Sequence, residues 1–124
     1  MKNNLKCKYW EGYMVYKPKP YINVRKWGYE NRFSYNTKST VKILNVKNGK
    51  KLSVQYHHKR DELWHVISGK GKVLIGEKWH KAKKGDHFFM PKKTIHSAEG
   101  VGGELRLLEI SFGVFDQKDI VRLK

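Results

Sequence analysis

From Pro20 onward the chain reads as short β-type runs separated by glycine turns, and no stretch of helical length carries a 3.6-residue apolar period. Residues 40–46 are rich in β-branched side chains, and 52–56 alternate apolar with polar. Segments 63–67, 72–75, 88–90 and 105–112 complete the set. Asn48-Gly49, Ser68-Gly69, Lys84-Gly85-Asp86 and the glycines of 100–103 mark turns between them. Strands at this spacing predict an all-β sandwich or small barrel. At most one helical turn fits 116–118. Lys17-Pro18 and Lys19-Pro20 break the chain near its start, so residues 1–20 read as an N-terminal arm with a short strand at 13–16, and 21–124 as one domain.

Composition narrows the setting. The 124 residues are enough for one core-bearing domain, and 13% aromatic content argues against a disordered chain. The single cysteine, Cys7, allows no intrachain disulfide framework and reads as a free thiol. With no apolar run of membrane-spanning length and no signal-like start, a cytoplasmic protein without a membrane partner is expected. The net charge is +16, but only five of the 27 basic residues are arginine. Phosphate forks and base contacts favour arginine, and no nucleic-acid motif is present. The charge is therefore read as a solvated surface, leaving anionic small molecules as partners and nucleic acid excluded.

Ligand-type residues concentrate in one place. Gln55 and His57 lie two apart on the 52–56 run, so they share a face, with Leu52, Val54 and Tyr56 on the other. Glu62 opens the next run, and a hairpin is expected to bring it beside His57. His96 follows the turn at Pro91-Lys92-Lys93. Two imidazoles, a carboxylate and an amide oxygen suit a divalent ion, and without thiolate they admit Zn, Mn, Fe, Ni or Co.

The spacing Gly49-x5-Gln55-x-His57-x4-Glu62-x6-Gly69 resembles the first cupin motif, with glutamine at the usual first histidine. Gly85-x5-Pro91-x4-His96 resembles the second. Arg25-Lys26-Trp27-Gly28, the segment from Leu52 to Trp64, Ser68-Gly69 with Ile75-Gly76, and Asp119-Ile120-Val121-Arg122-Leu123 narrow this further. In that order they resemble the cupin domain of type II mannose-6-phosphate isomerases, commonly the C-terminal part of bifunctional mannose-1-phosphate guanylyltransferases. The likeness runs from Arg25 to Lys124. At this length no nucleotidyltransferase domain is expected in the chain. The resemblance implies a single-domain cupin jelly-roll barrel and a metal held by Gln55, His57, Glu62 and His96. It also implies interconversion of mannose 6-phosphate and fructose 6-phosphate through an enediol. Arg60 is the expected arginine fork at the pocket mouth, binding phosphate together with Lys59. His58, Lys59 and Glu109 are the candidate bases. The competing readings are a non-catalytic metal-binding cupin that takes a sugar phosphate or sugar nucleotide, and a metal-dependent oxygenase.

The sequence departs from the family pattern at several points. Lys59 stands at the third histidine, Leu63 at the histidine after the glutamate, Lys93 where cupins often have glycine, and Gly100 at the asparagine that ends the second motif. His65 has the opposite strand parity to Glu62 and Trp64 and is read as outward. His80 and His87 are read as surface or packing residues, Trp64 as core, and Lys81, Lys83 and Lys84 as solvated turns. The arm is rich in aromatics (Tyr9, Trp10, Tyr13, Tyr16), which predicts packing on the barrel or on a second subunit, hence a homodimer.

Overall fold

The computed structural model describes residues 21–123, together with the backbone of two strands in the arm. The strands are β1 (Lys8–Trp10), β2 (Tyr13–Val15), β3 (Tyr21–Arg25), β4 (Gly28–Arg32), β5 (Ser39–Val46), β6 (Gln55–Tyr56), β7 (Asp61–Ile75), β8 (Lys78–Lys83), β9 (His87–Met90), β10 (His96–Phe112) and β11 (Val121–Arg122). No helix occurs among the described residues. The expected all-β class is therefore met.

Two long strands organise the molecule. β7 and β10 run antiparallel along their whole length, from Asp61 opposite Phe112 to Ile75 opposite His96. The register shifts between Gly100 and Leu105, and the pair bends there. Glycine is required at this corner, because a Cβ on Gly69 or Gly71 would overlap the carbonyl oxygens of Glu104 and Glu99. Beyond the bend each long strand serves a second layer. One layer is β5–β10–β7–β9, built on the stretch from Leu105 to Phe112. The other is β11–β6–β10–β7–β8, built on the stretch from His96 to Gly100.

Alternation along the strands divides the side chains between interior and exterior. Val46, Trp64, Val66, Val73, Ala82, Phe88, Met90, Ala98, Leu105 and Leu107 fill the space between the layers. On the same strand faces, one step further along, come Lys42, Glu62, Glu109 and Ser111. The interior thus changes from apolar to polar along its length. A smaller cluster of Leu63, Phe89 and Ile110, with Phe33 against it, covers the outer face of β7, β9 and β10.

Three expectations change. Residues 52–54 are not strand, and only Gln55 and Tyr56 pair, with β10 and β11. No hairpin joins β6 to β7, because both lie against β10 instead. Lys81 and Lys83 lie on β8, while Lys84 is in the turn after it. The β3–β4 hairpin was not anticipated. The strand foreseen at 13–16 is present as β2, paired with β1, while the packing foreseen for the arm's aromatic side chains falls outside the described residues. At 116–118 the chain makes a hydrogen-bonded turn, with the Asp119 N–H donating to the Asp116 carbonyl at 3.0 Å.

Candidate metal centre and pocket

His57, Glu62 and His96 converge where the two layers meet, each at most 3% exposed. β10 supplies His96 and β7 supplies Glu62. His57 follows β6, whose Gln55 pairs with His96 across the sheet. Glu62 therefore reaches His57 across the barrel interior and not along a hairpin.

The tautomers follow from the partners. A backbone carbonyl only accepts. His57 Nδ1 lies 2.6 Å from the Asp119 carbonyl, and His96 Nδ1 lies 2.9 Å from that of Thr94, so both Nδ1 atoms carry the proton. Each Nε2 is left as a lone pair: that of His96 faces Glu62, and that of His57 accepts from Arg60 Nη2 at 3.3 Å. Glu62 Oε2 is satisfied by the Arg60 Nε–H at 3.0 Å and the Ser111 hydroxyl at 3.1 Å. Glu62 Oε1 lies 3.2 Å from His96 Nε2 and 3.6 Å from His57 Nε2. Neither Glu62 Oε1 nor His96 Nε2 has a hydrogen-bond partner. Two buried acceptors face each other with nothing donated between them, an unfavourable arrangement that a cation resolves. Imidazole Nε2 atoms and a carboxylate oxygen fit a divalent transition ion.

Burial pushes the Glu62 carboxyl up, but positive charge beside it, on the His96 and His57 rings when they are protonated and on the Arg60 guanidinium, outweighs it and holds the group at about 2. Desolvation draws His57 below its ordinary value, against the charge of Glu62. Glu109 moves the other way. Burial and the charge of Glu62 raise its carboxyl, although the Trp64 indole N–H donates to it at 3.0 Å and Lys42 Nζ stands 3.9 Å away.

The centre opens into a pocket of about 150 Å³ that is partly open to solvent. Gln55, His57, Arg60, Glu62 and Glu109 line it, as do Lys42, Phe115 and Arg122. Gln55 Oε1 accepts the Ser53 hydroxyl at 2.8 Å. Leu52, assigned by parity to the opposite face, also lines the pocket, because the irregular backbone of 52–54 breaks the alternation.

The candidate catalytic residues separate into two groups. Arg60 and Glu109 reach the pocket, whereas His58 and Lys59 are exposed and outside its lining. Arg60 is not at the mouth. It is 7% exposed, and its guanidinium is held by Glu62 and by the Asp116 carbonyl at 3.2 Å. Trp64 is fully buried, edge-on to His96 with ring centroids 5.4 Å apart. Sequence reasoning passed over Lys42, Phe115 and Asp116. Asp119 and Arg122 lay inside a quoted motif without a role.

A family model described as "Mannose-6-phosphate isomerase C-terminal" matches residues 17–124. The chain belongs to this family. Among curated relatives, the mannose-1-phosphate guanylyltransferase RfbM of Salmonella typhimurium is 36% identical over 102 residues, covering 81% of this chain and 21% of that protein. The xanthan biosynthesis protein XanB of Xanthomonas campestris is 32% identical over 102 residues, covering 81% and 22%. The chain thus spans about a fifth of the length of these relatives. Among solved structures, the capsular polysaccharide assembling protein CapF of Staphylococcus aureus superposes with a TM-score of 0.64 at 20% identity, covering 89% of this chain and 35% of that one. A double-stranded β-helix protein of Klebsiella pneumoniae gives 0.62 at 18% identity, covering 73% and 77%. The cupin fold is therefore established. No helix of the described residues is long and apolar enough to cross a membrane.

Proposed function

We propose that this domain interconverts mannose 6-phosphate and fructose 6-phosphate, with a divalent ion held by His57, Glu62 and His96 and with Gln55 beside them. The observation that carries the reading is the pair of buried, unpartnered acceptors, Glu62 Oε1 and His96 Nε2, with Glu62 in the lining of a pocket that also holds Glu109. Membership in a family described as mannose-6-phosphate isomerase C-terminal supports the choice of sugar. A bound divalent ion would supply positive charge for the negative charge that develops on the sugar oxygens.

Glu109 is the residue suited to move the proton. Its raised affinity for protons brings it toward the range where a carboxyl both takes and returns one. In the forward direction it removes the C2 proton of the open-chain aldose. The C–H electron pair forms the C1–C2 double bond, and the carbonyl electrons move to O1. The same carboxyl then delivers the proton to C1, while the O2 hydroxyl proton is lost and O1 is protonated, which leaves the ketone at C2. Trp64 holds the Glu109 carboxyl in place through its indole N–H. Arg60 orients Glu62 and not the substrate, so the phosphate is assigned to Lys42 and Arg122, the two remaining cations in the lining.

An assay of mannose 6-phosphate conversion, with metal content measured on the same sample, tests the proposal. His57→Ala and His96→Ala are each expected to lose the ion and the activity. Full metal occupancy in the His96→Ala protein would remove the site from consideration. Glu109→Gln is expected to keep the metal and lose about 10²-fold or more in turnover. Binding of the sugar phosphate without turnover under any divalent ion would favour the alternative, a metal-binding cupin that takes a sugar phosphate or sugar nucleotide. The specific support for that alternative is that Glu109 is the only one of the candidate bases that lines the pocket.

A further inference from the structure

We infer that Asp119 is a positioning residue for the metal centre, and that it fixes the tautomer of His57. The inference rests on the metal reading above for its affinity arm, and on geometry alone for its tautomer arm.

Asp119 makes three hydrogen bonds to one short segment. Its carbonyl accepts from His57 Nδ1 at 2.6 Å. Its carboxylate oxygens accept the backbone N–H groups of His58 and Lys59, each at 2.9 Å. The residue is only 8% exposed. The segment it grips carries His57 and Arg60 and leads directly into Glu62. The carboxylate thus holds the chain at 58–59 against the chain at 119, and that places the Asp119 carbonyl on the His57 ring. A carbonyl at that position admits only the Nδ1–H tautomer, which leaves Nε2 as the lone pair, 3.3 Å from the Arg60 Nη2 donor and 3.6 Å from Glu62 Oε1. The rest of the C-terminal segment repeats the contact. The Asp116 carbonyl accepts from Arg60 Nη1 at 3.2 Å, and the Leu123 N–H donates to the Val54 carbonyl at 2.7 Å.

His96 provides an internal control. Its Nδ1 partner is the carbonyl of Thr94, two residues away, so its tautomer is set locally. If Asp119 acts as inferred, its loss changes His57 and leaves His96 alone. A general loosening of the fold would change both.

The test uses the full chain. Imidazole nitrogen NMR on the metal-free protein reads the two tautomers, and competition with a chelating dye reads zinc affinity. The parent is expected to show Nδ1–H for both histidines. Asp119→Ala is expected to turn His57 into a mixture of tautomers with His96 unchanged, and to weaken zinc binding by about 10–100-fold. Asp119→Asn, which keeps one of the two acceptor oxygens, should fall between, and it decides the matter if the alanine variant does not fold. Asp86→Ala serves as the remote comparison. Its carboxylate accepts a backbone N–H from Lys83 in a turn away from the site, so both readouts should stay at the parent's values. An unchanged His57 tautomer with parental zinc affinity in Asp119→Ala would overturn the inference. So would equal disturbance of His57 and His96. A parent that binds no zinc would sink the metal reading, and the tautomer result would then decide the role of Asp119 by itself.

Discussion

Lys93 has φ of 67°, a left-handed conformation that costs a residue with a Cβ roughly 1–2 kcal/mol. It stays there because its N–H donates to the His57 carbonyl at 2.6 Å, tying the turn before β10 to the metal loop. Lys93→Gly should relieve the strain and keep the bond, offset by about 0.5–1 kcal/mol of backbone entropy. The expected net gain is roughly 0.5 kcal/mol, read as a higher urea midpoint at unchanged slope. The same position explains why a cupin motif often carries glycine there. At this scale the cluster was legible, since His57, Glu62 and His96 sit at motif spacings that survive whatever the intervening strands do. Asp119 and Lys42 were not. Their roles depend on register across β10 and on a C-terminal segment folding back over the site, and neither leaves a local pattern.

His65 and His87 face each other across β7 and β9, with Nδ1 atoms 3.0 Å apart and Phe33 packed on both rings. One ring must donate and the other accept, so at most one of the two carries a charge. Burial lowers both groups. The charge of His65 lowers His87 further, while Asp86 opposes it. A histidine held below its unfolded value of 6.5 contributes its full stability above that pH and loses it as pH falls through the folded value. The melting temperature is therefore expected to be flat above about pH 6.5 and to drop below it, and His65→Val with His87→Val should flatten the drop. An equal fall in the double variant would sink the assignment. Outward parity for His65 was readable from the sequence, but its partner was not. Pairing across strands depends on register, which turn signals at 68–69 and 84–86 do not fix. β8 was missed because Lys78, Lys81 and Lys83 fall on both faces of the strand and leave no apolar alternation, so charge obscured the period.

For the whole molecule, the barrel was legible because glycine turns and period-two runs act together, whereas β7 and β10 read as separate short strands because Gly69, Gly71 and Gly100 interrupt them at the bend. The expectation of a homodimer has a physical counterpart among the described residues. Val41 and Ile43 are 59% and 48% exposed on the outer face of β5, and Ile22, Val24, Trp27 and Tyr29 are exposed on the β3–β4 hairpin. A two-stranded hairpin alone is marginal in water, and these exposed apolar side chains are the face that a second copy would cover. Sedimentation is expected to give a dimer that Val41→Lys with Ile43→Lys converts to monomer. Each chain carries +16, so added salt should tighten the dimer by screening repulsion, while it weakens binding of a phosphorylated sugar. A monomeric parent at all salt concentrations would end the dimer expectation.

The shared strands β7 and β10 also govern the order of events in time. His96 joins His57 and Glu62 only after β10 has paired with both β6 and β7, contacts far apart in sequence and slow to close. The three donors are scattered until that pairing is nearly complete, so an ion has little to hold in the transition state for folding. Zinc added to the protein should leave the refolding rate almost unchanged and slow unfolding instead, so that the bound ion acts as a latch on a door already shut.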